Sequence, residues 1–70
     1  MQMILNTYGT ALNRDNEAFV VNNDQGKRRI PTDGVTSILL TRGTSITADA
    51  VMLAIDHEIE IHFADRQGNV

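Results

Sequence analysis

A chain of 70 residues with a net charge of −3 and no cysteine excludes a disulfide framework and a cysteine-based zinc site. It also lacks the overall basic field of an autonomous nucleic-acid binder. A domain of this size buries only about 60 % of the surface its unfolded chain exposes, so marginal stability is expected, with a partner subunit or a further domain as the staple. No apolar stretch approaches the roughly 20 residues needed to span a bilayer, and Met1-Gln2-Met3-Ile4 lacks the charged start and long apolar run of a signal peptide, so a cytoplasmic location is expected.

Met3-Ile4-Leu5 predicts a first strand that reaches a bend at Gly9, and residues 10–14 restart as a second strand. The polar connector Asp15-Asn16-Glu17 leads into Ala18-Phe19-Val20-Val21-Asn22, the most strand-like composition in the chain, and the two runs read as a hairpin. Asn23-Asp24-Gln25-Gly26 turns the chain again, so residues 27–30 return antiparallel to Val20 until Pro31, which lacks a backbone donor, stops the strand. Lys27, Arg28 and Arg29 form the only basic run, read as a solvated strand edge in preference to a DNA contact.

After the turn at Thr32-Asp33-Gly34, the unbroken apolar centre of Val35-Thr36-Ser37-Ile38-Leu39-Leu40-Thr41 predicts a central strand covered on both faces. Arg42-Gly43 breaks it, and Thr44-Ser45-Ile46 reads as a short extended piece. Thr47 is placed to cap a helix over about residues 47–57, with Asp49 in its first turn suiting the macrodipole. Ala48, Val51, Met52 and Ile55 fall at i, i+3, i+4 and i+7, the stripe expected to face the sheet. No glycine or asparagine eases the exit near His57-Glu58. Ile59-Glu60-Ile61-His62-Phe63 then alternates as a strand, with its apolar residues expected toward the helix and Glu60 and His62 away from it. Gln67-Gly68-Asn69 resembles the start of another turn. The expected class is β-rich α+β, a small and mostly antiparallel sheet or sandwich of about six short strands with one helix, and no internal repeat stands out.

Chemistry is sparser than architecture. Asp56, His57, Glu58, Glu60, His62 and Asp65 are residue types that bind metal or move protons, yet a metal site needs three or four converging ligands, and exposed alternation already accounts for Glu60 and His62. A small hydrolase built on His57 or His62 ranks last, because no spacing supplies either with a partner. The glycines are dispersed one per connection and make neither a phosphate-binding loop nor a dinucleotide fingerprint. Tyr8 is the only tyrosine. Beside Gly9 it reads first as a rim residue of the core and second as a ring that stacks on a base. Arg42 divides in the same way between a solvated arginine and a phosphate contact.

Taken in order, Asn6-Thr7-Tyr8-Gly9-Thr10, Ala18-Phe19-Val20-Val21, Ile30-Pro31, Val35-Thr36-Ser37-Ile38-Leu39-Leu40, Ser45-Ile46-Thr47-Ala48-Asp49-Ala50 and Ile61-His62-Phe63-Ala64-Asp65-Arg66-Gln67-Gly68-Asn69 resemble the CRISPR-associated spacer-acquisition integrases throughout. The resemblance covers the amino-terminal β domain of that family. It implies a β-rich domain with one helix, used for homodimer formation and for organising a DNA platform together with a small second adaptation protein. It also implies that the metal-binding Glu, His and Asp belong to a following helical domain, where Mg or Mn supports DNA cleavage and strand transfer. No catalytic or metal residue is therefore expected within residues 1–70. Under the resemblance Tyr8 becomes the aromatic that packs against the end of a protospacer duplex and helps splay its strands, and Arg42 lies where a loop approaches DNA. Members of the family continue past the position of Val70, so the chain is expected to be a piece of a larger enzyme, in preference to a natural remnant that dimerises without catalysis. The competing reading is a free-standing β-rich protein-interaction module that pairs through strand edges and never touches DNA.

Overall fold

The computed structural model describes residues 1–65. The chain forms β1 (Gln2–Leu5), β2 (Ala11–Asp15), β3 (Ala18–Asn23), β4 (Gly26–Pro31), β5 (Ser37–Thr41), β6 (Ser45–Ile46), α1 (Ala48–Asp56) and β7 (Glu60–Ala64). The turn expected at Gln67-Gly68-Asn69 lies outside the described residues. The strands make two sheets, one of three in the order β1-β5-β7 and one of four in the order β4-β3-β2-β6.

The four-stranded sheet grows from two tight hairpins. Asp15 pairs with Ala18 around Asn16 and Glu17, Asn16 taking the left-handed φ of 55° that asparagine tolerates. Asn23 pairs with Gly26, and the Asn23 side chain accepts a 2.8 Å hydrogen bond from the Gln25 amide, the local bond that makes asparagine a turn residue. Lys27, Arg28 and Arg29 lie exposed on β4 at the open edge of this sheet, where like charge discourages unwanted strand pairing.

The three-stranded sheet differs from the expected pairing sense. β1 and β7 flank β5 and both run parallel to it, so with β2 and β6 the parallel pairings outnumber the antiparallel ones among the described residues. Chain direction is invisible to apolar alternation. For β7 it follows from the crossover, because α1 carries the chain back along β5, while β1 reaches β5 through the strands of the other sheet. β5 is central, as expected, but alternates buried Ile38 and Leu40 with half-buried Leu39, so only one of its faces is fully covered.

One core joins both sheets and the helix, built on Met3, Leu5, Leu12, Phe19, Val35, Ile38, Leu40, Leu53 and Ile59 with the small residues Ala50 and Ala54. The helix meets it with a face other than the expected one. Ala50, Leu53 and Ala54 are buried, while Met52 and Ile55 are 50 % and 59 % exposed. A nine-residue helix whose only polar residues are Asp49 and Asp56 carries more than one apolar stripe. Its backbone is pinned close to the sheet, the Thr47 amide donating to the Leu12 carbonyl at 3.0 Å, and at that distance alanines fit better than large side chains. Thr47 caps the helix as expected, its hydroxyl oxygen accepting from the Ala50 amide at 3.2 Å.

The far end closes without glycine. Glu58 takes a left-handed φ of 56°, its amide donates to the Ile55 carbonyl at 3.1 Å, and the Ile59 amide donates to the Ala54 carbonyl at 2.8 Å. This is the paired-bond exit of a Schellman motif, with buried Ile59 as its apolar anchor. Ile59 and Ile61 reach the core, but Phe63, near the end of β7, is 59 % exposed and does not join it.

Candidate nucleic-acid interface

Parallel pairing of β1 with β5, Leu5 opposite Leu40, makes the turns that follow the two strands neighbours. Each turn has the same chemistry. In Thr7-Tyr8-Gly9-Thr10 the Thr10 amide donates to the Thr7 carbonyl at 3.1 Å, and in Thr41-Arg42-Gly43-Thr44 the Thr44 amide donates to the Thr41 carbonyl at 3.2 Å. Gly9 at φ +86° and Gly43 at φ +88° occupy the third position, where a type II turn needs a residue at ease with positive φ. Tyr8 and Arg42 therefore hold equivalent second positions of twin turns, the corner that points out of the chain's path.

Backbone bonds tie the twins together. The Gly9 amide donates to the Gly43 carbonyl at 2.8 Å, and the Ser45 amide donates to the Thr10 carbonyl at 3.0 Å, which opens the short β2 and β6 pairing. Side chains add to the clasp, since the Thr41 hydroxyl donates to the Leu5 carbonyl at 3.2 Å and the Thr44 hydroxyl to the Thr41 carbonyl at 2.6 Å. Thr10, 2 % exposed, is held from a third side, its hydroxyl accepting from the Asn23 amide nitrogen at 3.0 Å. A buried hydroxyl satisfied in this way rigidifies its surroundings.

On this base Asn6, Tyr8, Thr41 and Arg42 line an open recess of about 420 Å³. Tyr8 is 74 % exposed and Arg42 is exposed, so an aromatic ring and a guanidinium share one rim with amide and hydroxyl groups and, among the described lining residues, no carboxylate. The recess sits at the carboxyl ends of parallel strands, where open sheets with this sense commonly bind ligands. A ring offers a stacking surface to any base, and a guanidinium matches a phosphate with two parallel hydrogen bonds.

Of the other polar residues singled out from the sequence, Asp65 follows Ala64, the partner of Thr41, and so lies at the recess end of β5, whereas His57 and Glu60 lie toward its start. Glu60 pairs in register with Ser37, and its carboxylate lies 3.0 Å from His62 Nε2 on the same strand face. His57, at the helix exit, lies with Nε2 2.9 Å from Glu17 Oε2, and Arg14 approaches the same carboxylate at 3.6 Å. The His57 hydrogen bond holds the Glu17 carboxyl below its ordinary value; desolvation opposes it, and the nearby charges of Arg14 and His57 add to the lowering. No group of three or more His, Asp or Glu is positioned to hold a metal ion among the described residues. Lys27, Arg28 and Arg29 stand apart from the recess, with Arg29 3.5 Å from Asp15.

Gly43 escaped the sequence reading although its signal was present. Thr-x-Gly-Thr occurs at residues 7–10 and 41–44, a short repetition whose meaning appears only when parallel strands set the two copies side by side.

Comparison with solved structures returns the same fold. A partial Cas6-RT-Cas1–Cas2 complex matches with a TM-score of 0.88 and 23 % identity over 99 % of this chain and 21 % of the other. A Cas1 protein from Thermotoga maritima matches with a TM-score of 0.82 and 22 % identity over 99 % and 22 %. A TtCas1–DNA complex matches with a TM-score of 0.82 and 18 % identity over 93 % and 22 %. The chain thus spans about a fifth of the length of these structures. Comparison with curated proteins returns no match. The family model described as CRISPR associated protein Cas1 matches residues 3–70, nearly the whole sequence, and by that match this chain belongs to the Cas1 family.

Proposed function

We propose that this chain is the amino-terminal DNA-platform and dimerisation domain of an enzyme of CRISPR adaptation, which inserts foreign DNA into the CRISPR array with a Cas2-type partner. Tyr8 stacks on the terminal base pair of a forked or blunt duplex, and Arg42 contacts the adjacent phosphate. The observation that carries the reading is the convergence of Tyr8 and Arg42, 34 positions apart in sequence, on one recess between twin turns. Family membership supports it, as does the presence of DNA in one structural relative and of Cas2 in another. Cleavage and strand transfer, with the Mg or Mn they need, belong to residues of the parent enzyme outside this chain. Exposed Met52, Ile55 and Phe63 are apolar residues available for self-association. The setting is the cytoplasm, where invading DNA is met.

Affinity for a forked duplex tests the reading. Replacing Tyr8 with alanine is expected to weaken binding by about 1–3 kcal/mol, the usual worth of a base stacked on an aromatic. Replacing Arg42 with alanine is expected to lower the salt dependence by about one released counterion. Unchanged affinity in both variants refutes the platform, and a strictly monomeric mass by light scattering at high concentration refutes the dimer. Retained self-association with no DNA affinity in the parent chain favours the protein-interaction module instead.

A further inference from the structure

We infer that Gly43 is a positioning residue for Tyr8: the absence of a side chain at Gly43 seats the tyrosine ring on the neighbouring turn and so sets affinity for a duplex end. The second half rests on the reading of Tyr8 as the residue that stacks on DNA. An L-side-chain Cβ built at Gly43 would lie 2.3 Å from Cδ2, 2.8 Å from Cε2 and 3.1 Å from Cγ of Tyr8. Carbon atoms at rest stay about 3.5–4.0 Å apart, so a methyl group and the present ring cannot coexist.

The same construction at Gly9, Gly26 and Gly34 meets nothing within 4 Å. Positive φ alone therefore explains those three glycines, whereas Gly43 has a second requirement that points at one side chain. The turn is the fixed party in this contact. Its Gly43 carbonyl accepts from Gly9, its Thr44 amide is bonded to Thr41, and Ser45 is bonded to Thr10. The Tyr8 ring, 74 % exposed on rotatable side-chain bonds, gives way before the doubly bonded turn does. A side chain at position 43 displaces the ring and leaves the clasp in place. A ring pushed off this seat must be brought back to it, at an ordering cost, when a base stacks on it. A seated ring has already met that cost before DNA arrives.

The chain has one tyrosine and no tryptophan, so its intrinsic fluorescence reports on Tyr8 alone. Three variants of the full chain separate ring displacement from backbone strain. Gly43→Ala carries both effects. Gly43→Asn carries the Cβ on a residue that tolerates positive φ, which keeps the test open if the alanine variant does not fold. D-alanine at position 43, introduced by chemical synthesis, accepts positive φ and projects its methyl from the other side of Cα. The L-variants are expected to lower Tyr8 fluorescence anisotropy and raise acrylamide quenching, with D-alanine close to the parent. On a forked duplex, Gly43→Asn is expected to weaken binding by at least about fivefold, the low end of a lost base stack, and to change affinity less than about twofold when Tyr8 is already alanine.

Unchanged anisotropy and quenching in both L-variants overturns the seat. A loss of affinity that adds to that of Tyr8→Ala overturns action through the ring. Loss of affinity in Tyr8→Ala with none in Gly43→Asn overturns this inference and leaves the stacking reading standing. No loss in Tyr8→Ala, with the fluorescence changes present, refutes the stacking reading and the link to DNA and supports the seat.

Discussion

The two ends of β5 are built from opposite materials. At its start, the side chains richest in chemistry satisfy one another: His57 bonds Glu17, Arg14 leans on the same carboxylate, and Glu60 bonds His62. At its finish, twin turns held by backbone bonds present an exposed tyrosine and arginine above a recess with no carboxylate among its described lining residues. The crowded end invites a catalytic reading and is a set of local ion pairs, each worth little at an exposed surface. The sparse end presents an aromatic ring and a guanidinium on a frame of backbone hydrogen bonds. The polar side chains near the start of β5 are already paired with one another, His57 and Glu17 across 40 positions of sequence. Tyr8 and Arg42, 34 positions apart, share the rim of one recess through the parallel register of β1 on β5.

Both ends hang on one core, and the largest expected effect tests whether they do so jointly. Leu53 is fully buried between Ala50 and Ala54 on the inner face of α1. Leu53→Ala is expected to cost about 2–5 kcal/mol, against less than about 0.5 kcal/mol for the half-exposed Met52→Ala. Amide exchange sharpens the measurement. Protection of Gly9, bonded to Gly43, and of Ile59, bonded to Ala54, should fall together in Leu53→Ala. If Ile59 alone loses protection, the ends are separate cooperative units, and the helix which starts near the recess does not support it.

Thr10→Val comes next and acts on the turn end only. The substitution keeps shape but leaves the Asn23 side-chain amide without its 3.0 Å acceptor, a loss expected to cost about 1 kcal/mol because that amide is only partly buried. Thermal unfolding measures it. Tyr8 fluorescence should shift as the clasp loosens, while the amide of Ile59 keeps its protection relative to global stability. An unchanged melting temperature shows that Thr10 fills space at the clasp without holding it.

Much of this arrangement was legible from the residues and some could not be. Strand and turn positions followed from Ala18-Phe19-Val20-Val21, from Asn16, from Pro31 and from the cap at Thr47, because each is a local preference met where it stands. The face of α1 did not follow, since Met52 and Ile55 offer as much apolar surface as Leu53, and only the anchoring of Thr47 to Leu12 decides between stripes. Parallel pairing was implicit in the strand, helix, strand order, yet alternation in β1 and β5 is the same for either direction. The site was half legible. Tyr8 and Arg42 were visible as an aromatic and a cation beside glycines, but Thr32-Asp33-Gly34-Val35 makes the same amide-to-carbonyl turn elsewhere at 3.0 Å. The pattern therefore finds turns, and the register of β1 on β5 selects which two stand side by side as the candidate site.

A smaller and favourable change is expected at the crowded end. Glu58 sits at φ 56°, where a residue with a Cβ is strained and glycine is at ease. Glu58→Gly is expected to stabilise the chain by about 0.5–1 kcal/mol, the relief at the helix exit exceeding the added entropy of the unfolded glycine. Denaturant unfolding reads the gain, and Tyr8 anisotropy should not move, since the clasp lies at the other end of β5. A destabilised variant means that the Glu58 side chain makes a contact worth more than its strain.

Acid supplies the smallest effect and isolates the pairing that distinguishes the crowded end. The Glu17 carboxyl titrates below its ordinary value of 4.5 in the folded chain, chiefly because His57 hydrogen-bonds its charged form. A carboxylate with a lowered folded pKa contributes stability that is complete above the unfolded value and is lost as pH falls through the folded one. The parent chain should therefore lose slightly more melting temperature than Glu17→Gln on going from about pH 5 to about pH 3, and added salt should shrink the difference because Glu17 is exposed. Tyr8 and Arg42, at the far end of β5, should respond to neither change. Equal slopes in parent and variant would dissolve the contrast, because the crowded end would then be polar residues merely standing near each other.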